Sequence, residues 1–372
     1  MLTKFKVSNF KSFNQNFIFD LTDTNGYNFN SECIKNGIVN NALIYGHNGV
    51  GKSNIGLAIF DIIEHLTDRQ ININEYSVYL NAYNKSTYAD FYFEFLINTN
   101  KVVYEYKKTD YKTIIYEKFS INDENFVFFD RRENQKAIVK FKGAENLKTE
   151  IDNNELSILK YIRNNTILEQ NPENKTFKDF FKFIEGMLFF RSLRNNMYLG
   201  LEKNNSKNAI LEIIEDEKVN DFELFLNNAG IECKLKSIEE LDQKTLAFDF
   251  DGNYISFDKI ASHGTWALTL FYFWFQRIKE KSKVSFLFID EFDAFYHHEL
   301  SALIVKELKN TEVQFVLTTH NTSIITNDLL RPDCYFLMKK NNIRSLSKST
   351  PKELREAHNI EKMYKSGTFD NN

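Results

Sequence analysis

The sequence predicts an α/β fold in which a mixed, largely parallel sheet is flanked by helices, with an antiparallel β lobe and a helical lobe inserted into it. Three observations lead there. Leu43-Ile44-Tyr45 runs into a glycine-rich loop and then into a helical stripe. The apolar run Val284–Ile289 ends in Asp290-Glu291, and the run Val313–Leu317 ends in Thr318-Thr319-His320, with the helical stretch Glu299–Leu308 between them. Strands that alternate with helices and carry polar groups at their C-terminal ends describe a parallel sheet with its ligand crevice on that edge.

The totals set bounds on the class. A chain of 372 residues has room for about one to three domains. Its 42% hydrophobic and 26% charged residues are those of an ordinary soluble globular protein, and 3 prolines and 13 glycines are too few for a low-complexity linker. A net charge of −4 supplies no global basic field, so a nucleic-acid partner has no support from charge. Cys33, Cys233 and Cys334 are odd in number and lack metal spacing, which reads as reduced thiols in the cytoplasm. No apolar run approaches the length of a membrane span, and Met1–Val7 reads as an edge strand rather than a signal peptide.

In chain order, residues 2–8 alternate as a strand and Phe17–Leu21 forms a second. Ile55, Ala58, Ile59, Ile62, Ile63 and Leu66 recur at i, i+3, i+4 and i+7, which predicts the helix after the loop. Tyr88–Ile97, Val102–Lys107, Thr113–Phe119, Phe126–Asp130 and Ala137–Phe141 are short β-rich runs at hairpin spacing. From about Glu145 to Asn228 the period becomes helical: Leu156, Leu159, Ile162 and Ile167 form one stripe, Phe177, Phe180, Phe181, Ile184 and Leu188 another. Ile210, Ile213, Ile214, Phe222 and Phe225 form a third. Leu246–Phe250 and Tyr254–Phe257 turn at Asp251-Gly252 as a hairpin, and an apolar helix covers Trp266–Phe275. The expected division is a core of residues 1–70 and 245–372, a β-rich lobe over 71–144 and a helical lobe over 145–244.

Chemistry concentrates in the first and last thirds. Gly46-His47-Asn48-Gly49-Val50-Gly51-Lys52-Ser53 has the G-x-x-x-x-G-K-[ST] spacing of a phosphate-binding loop. The glycines let successive N–H groups face one anion at the positive end of the following helix. Lys52 then reaches the β- and γ-phosphates of ATP, and the Ser53 hydroxyl sits on Mg²⁺. At the end of its strand, Asp290 is placed to hold Mg²⁺ with Ser53, and Glu291 to polarise the attacking water. His320, ending the next strand, is a candidate contact for the γ-phosphate. Ser262-His263-Gly264-Thr265 opens the apolar helix with a hydroxyl and small residues, which reads either as a plain N-cap or as a second anion cradle. A second cradle has no use for a phosphate already held by Gly46–Ser53, so it would serve the nucleotide of another molecule. His297-His298-Glu299 lacks a third ligand at helical spacing and predicts no zinc site.

These residues resemble those of the ABC-type ATPases of the SMC, RecF and OLD group. Asn9-Phe-Lys-Ser-Phe13 looks like their opening, the Gly46–Ser53 loop like Walker A, Ser262-His-Gly-Thr265 like their signature motif. Ile289-Asp-Glu-Phe-Asp293 resembles Walker B with the D-loop, and Thr319-His320-Asn321 the switch histidine. The likeness points to the stand-alone OLD-like ATPases of AAA family 15, several of which serve bacterial anti-phage systems, and Met363–Phe369 is similar to their ending. It implies an ABC-type P-loop ATPase head that binds and hydrolyses ATP with Mg²⁺ and forms a head-to-tail homodimer or higher oligomer. Walker A of one subunit would hold the nucleotide, Ser262, Gly264 and Thr265 of the other would close over it, and Asp293 would communicate across the interface. A Q-loop glutamine has no convincing position; Gln70 comes early. The tail after His320 is too short for a Toprim nuclease domain, so a separate effector protein such as a nuclease is expected. The alternative is a RecF-like DNA-repair clamp. A transporter's nucleotide-binding domain is a remote reading, and a fourth keeps nucleotide binding as a structural switch with negligible turnover.

Overall fold

The structure is a computed structural model that describes residues 1–69, 73–191, 198–200, 209–240, 243–279, 284–294 and 298–369. Two seven-stranded sheets organise it. The first runs in the order Tyr198–Gly200, Met187–Arg191, Phe286–Asp290, Gln314–Thr319, Asn41–Tyr45, Tyr335–Lys339, Asn342–Ser345. Its inner strands are all parallel and its two edges antiparallel. Every residue of Asn41–Tyr45, Phe286–Asp290 and Gln314–Thr319 is buried, the pattern of a sheet covered on both faces. The expected α/β class, with a mixed and largely parallel sheet flanked by helices, is the one observed.

The second sheet is antiparallel throughout and runs Ile138–Val139, Glu124–Asp130, Ile114–Ile121, Asn100–Lys108, Ala89–Ile97, Leu2–Ser8, Phe17–Asp20. Ala89–Ile97 alternates strictly between buried and half-buried residues, because only one face of this sheet is fully covered. The β-rich stretch is thus continuous with the N-terminal hairpin: Lys6 pairs with Tyr92 and with Ile18.

Helix Lys52–Leu66 lies between the two sheets. Phe60 packs on Phe189 and Phe286 of the parallel sheet, at 5.3 and 6.2 Å between ring centroids, while His65 meets Tyr106 of the antiparallel sheet at 4.5 Å. Twelve of its 15 residues are buried, more than the single predicted stripe requires, because both of its sides are covered.

Local structure departs from the sequence expectation at three places. Leu188, placed above in a helical stripe, lies in strand Met187–Arg191 after helix Pro172–Glu185 has ended at Gly186. That strand pairs in parallel with Phe286–Asp290 inside the first sheet, although it falls within the stretch 145–244 expected to be helical. Ile167 is 95% exposed just beyond helix Ile158–Asn165 and takes no part in its stripe. The predicted hairpin forms as Gln243–Phe250 and Asn253–Ser256, turning through Asp251 and Gly252 at φ +53° and +95°. A third strand, Leu235–Glu240, joins it. Helix His263–Lys279 packs on helices Ala209–Glu215 and Val219–Asn228, where the Tyr272 hydroxyl donates to Asp221 at 2.6 Å.

All three cysteines are free thiols. Cys33 and Cys334, distant in sequence, are buried together, and the hydrogen bond between them lowers the Cys33 thiol below its ordinary value. No described helix is long and apolar enough to cross a membrane.

Candidate functional site

The C-terminal edge of the parallel sheet and the start of helix Lys52–Leu66 meet at a cleft of about 680 Å³. Asn48, Gly49, Gly51, Lys52 and Ser53 line it from the loop, with Glu291 and His320 from the strand ends opposite. Gly46, His47 and Val50 complete the loop away from the lining. The loop is built for an anion. Gly49 and Gly51 hold φ of +82° and +106°, and a Cβ on Gly51 would stand 2.5 Å from the Ser12 hydroxyl. The Asn9–Phe13 turn therefore braces the loop, and Asn54 fixes Ser12 by donating to its Oγ at 2.8 Å. Lys52 Nζ donates to the carbonyls of Gly46 and His47 at 2.5 and 3.2 Å; its side chain is buried, and burial lowers its pKa.

The strand ends are tied together by threonines. Thr318 Oγ1 donates to Asp290 Oδ1 at 2.7 Å and accepts from the Glu291 backbone N–H at 2.8 Å. Thr319 Oγ1 donates to Asp293 Oδ2 at 2.7 Å. Glu291 holds φ +51°, a left-handed conformation that costs a non-glycine residue energy and aims its carboxyl into the cleft. Burial, followed by the neighbouring Asp290, raises the Glu291 pKa above the ordinary carboxylate value, which suits a group that must accept a proton. Asp293, expected at an interface, is buried within the single chain; its Oδ1 has no hydrogen-bond partner, and burial raises its pKa.

The residues present fit the expected ligands. A backbone cradle with a buried lysine suits a polyphosphate, and the Ser53 hydroxyl and Asp290 carboxylate are oxygen donors of the kind Mg²⁺ takes.

The structure does not bring Ser262, Gly264 and Thr265 to this cleft. Ser262 Oγ caps the start of its helix, accepting from the Thr265 N–H at 3.1 Å and meeting Thr265 Oγ1 at 2.8 Å. Ser262 is exposed, and with Thr265 it borders a different depression formed with Ile231, Phe248 and Phe250. Gln70 and His297 lie outside the described residues.

Three charged residues that line the cleft, Lys11, Glu75 and Arg191, received no site role from the sequence. Arg191 ends its strand level with Asp290 and donates through Nε to Asp290 Oδ2 at 3.1 Å and through Nη1 to Glu75 Oε2 at 2.9 Å. The signal was present, since Met187-Leu-Phe-Phe190 is an apolar run that ends in a charge just as Phe286–Ile289 does. Lys11 Nζ donates to the carbonyls of Glu75 and Val78 at 2.5 and 3.2 Å, pinning segment 73–78 over the cleft.

A family profile described as "AAA domain, putative AbiEii toxin, Type IV TA system" matches residues 42–326, a span that runs from the phosphate loop past His320. The chain belongs to this family. The AbiEii-type AAA profile matches where the sequence resemblance names AAA family 15, so the P-loop ATPase group is common to both and the narrower OLD-like placement is not. No curated protein matches this AbiEii-type AAA chain. Solved structures similar to it include an SMC head bound to the C-winged helix domain of ScpA, at 19% identity over 93% of this chain and 98% of that one, with a TM-score of 0.47. An SMC head domain from Thermotoga maritima is 16% identical over 95% of this chain and 99% of its own, with a TM-score of 0.43.

Proposed function

We propose that this chain is an ABC-type, OLD-like ATPase that dimerises around ATP and acts as a sensor or scaffold controlling a separate effector, a nuclease, in bacterial anti-phage defence. The observation that carries the ATPase reading is the convergence of Lys52, Ser53, Glu291 and His320 on one cleft. Lys52 exchanges the loop carbonyls for the β- and γ-phosphates, a stronger, charge-assisted interaction. Ser53 and Asp290 would hold Mg²⁺, whose role is to neutralise developing phosphate charge. Glu291, with its raised pKa, takes the proton of the attacking water, and His320 contacts the γ-phosphate.

Support for the dimer comes from what one chain lacks at the cleft. Ser262 and Gly264 stand at a helix start away from it, Ser262 exposed and Thr265 buried just behind, a position from which Ser262 could meet the nucleotide of a second copy. The reading of a separate effector rests on the sequence resemblance to the OLD-like ATPases.

Glu291→Gln is expected to retain ATP while hydrolysing it roughly 100-fold more slowly, measured by phosphate release, and normal turnover would remove Glu291 from the role of base. Gly264→Asp is expected to block ATP-induced dimerisation in light scattering; intact dimers would refute the shared-nucleotide arrangement.

A further inference from the structure

Among the residues that line the cleft, Arg191 and Glu75 have no part in the chemistry so far described, yet they form an ion pair there. The Arg191 side chain is 12% exposed, that of Glu75 15% and that of Asp290 2%, so these three charges face one another with little solvent to screen them. Lys11 acts on Glu75 and Lys52 on Asp290 from the same cleft, so the wall that faces the phosphate loop carries charges of both signs. A guanidinium that turned outward would present its charge directly to a triphosphate. Its geometry permits this: Arg191 is the last residue of its strand, and Nη2 takes part in neither the Asp290 nor the Glu75 contact.

We infer that Arg191 is the residue that distinguishes ATP from ADP, by transferring its guanidinium from Asp290 and Glu75 to the terminal phosphate of bound ATP. This rests on the reading of the cleft as an ATP site. The chemistry favours the exchange. An arginine cannot be neutralised by its surroundings, so it must keep an anionic partner, and its planar fork matches phosphate oxygens as well as carboxylate oxygens. When it leaves, the Asp290 carboxylate becomes available to a divalent cation, still oriented by the Thr318 hydroxyl. Glu75 is the internal anion that holds the guanidinium until the phosphate arrives. It sits on a short segment fastened over the cleft by Lys11 and by Tyr76, whose hydroxyl donates to the Leu57 carbonyl at 2.8 Å. The γ-phosphate thereby competes with Glu75 for one cation, and ADP, lacking that group, leaves the pair in place.

The test is isothermal titration calorimetry of the full chain with ATP and with ADP, in the presence of Mg²⁺. Arg191→Ala is expected to weaken ATP by about 10- to 100-fold, the worth of a hydrogen bond to a charged group, and ADP by less than about 3-fold. Glu75→Gln keeps the guanidinium but weakens its hold, and is expected to tighten ATP by about 3-fold or more with ADP unchanged. Equal losses for ATP and ADP in Arg191→Ala would overturn the inference and leave the ATP site standing. Should Arg191→Ala not fold, Glu75→Gln decides, and an ATP affinity equal to that of the unmodified chain would overturn it. An unmodified chain that binds no ATP would bring down the reading of the cleft as well.

Discussion

One set of polar side chains gathers at the C-terminal edge of the parallel sheet, whereas another set, on the inner face of the antiparallel sheet, is sealed against the helix that follows the phosphate loop. The first arrangement gives Asp290, Glu291, His320 and Arg191 at or beside an open cleft. The second gives Asp61, fully buried, accepting from Lys108 Nζ at 2.9 Å and from the hydroxyls of Tyr79 and Tyr106 at 3.0 Å each. One turn further on, His65 meets the Tyr104 hydroxyl at 3.0 Å, and Tyr104 donates to the buried Glu117, which also caps helix Ile158–Asn165 through the Ile158 N–H. Burial pushes the His65 pKa well below its ordinary value and keeps the ring neutral there. Polar groups at strand ends remain free to change partners. In the buried network Asp61 and Glu117 each hold several partners at once, so they fix the position of the helix and are not free to exchange.

The difference can be broken by mutations that should separate binding from stability. Lys52→Ala, at the open cleft, is expected to weaken ATP by about 100-fold or more with the unfolding transition unmoved; calorimetry that finds affinity unchanged would refute the loop assignment. Asp61→Asn leaves the buried Lys108 without its counter-ion and should cost about 3–5 kcal/mol in urea unfolding. A loss below about 1 kcal/mol would mean that the network is not the anchor described. Gly56→Ala sits on the opposite side of the helix, where a Cβ would stand 2.8 Å from Phe288 and 3.0 Å from Phe189. Overpacking of about 1–3 kcal/mol is partly offset by the better helix propensity of alanine, so a net loss of about 1 kcal/mol is expected. Lys4→Ala removes a half-exposed pair with Asp20 at the rim of the antiparallel sheet and should change stability by less than about 1 kcal/mol.

What could be read from sequence followed the density of local signals. The phosphate loop, the strands ending in Asp290 and Thr319, and the five β-rich runs before residue 142 each carry their pattern within ten residues, and the structure forms all of them. Arg191 escaped because Leu188 falls four residues after Ile184 and so continues a helical period, while the pairing that makes Met187–Arg191 a strand is with Phe286–Asp290, nearly a hundred residues away. Tyr335–Lys339 went unread for the same reason, since its partner is Asn41–Tyr45. The burial of Asp61 and Glu117 was equally invisible, because a carboxylate inside a core is specified only by tyrosines, a lysine and an arginine that arrive from other strands. The contact between Cys33 and Cys334 is of this kind too.

Strand Met187–Arg191 also constrains how the polypeptide can be cut. It interrupts the helical stretch to fill a slot between Tyr198–Gly200 and Phe286–Asp290, so the centre of the chain is laced through the sheet that carries the phosphate loop instead of hanging from it. A shortened chain made by excising residues 145–244 would lose a row of backbone hydrogen bonds beside the strand that ends in Asp290, together with the only arginine that touches Asp290 among the described residues. Any lengthening or trimming of the middle that evolution or an engineer attempts must therefore spare this five-residue stitch.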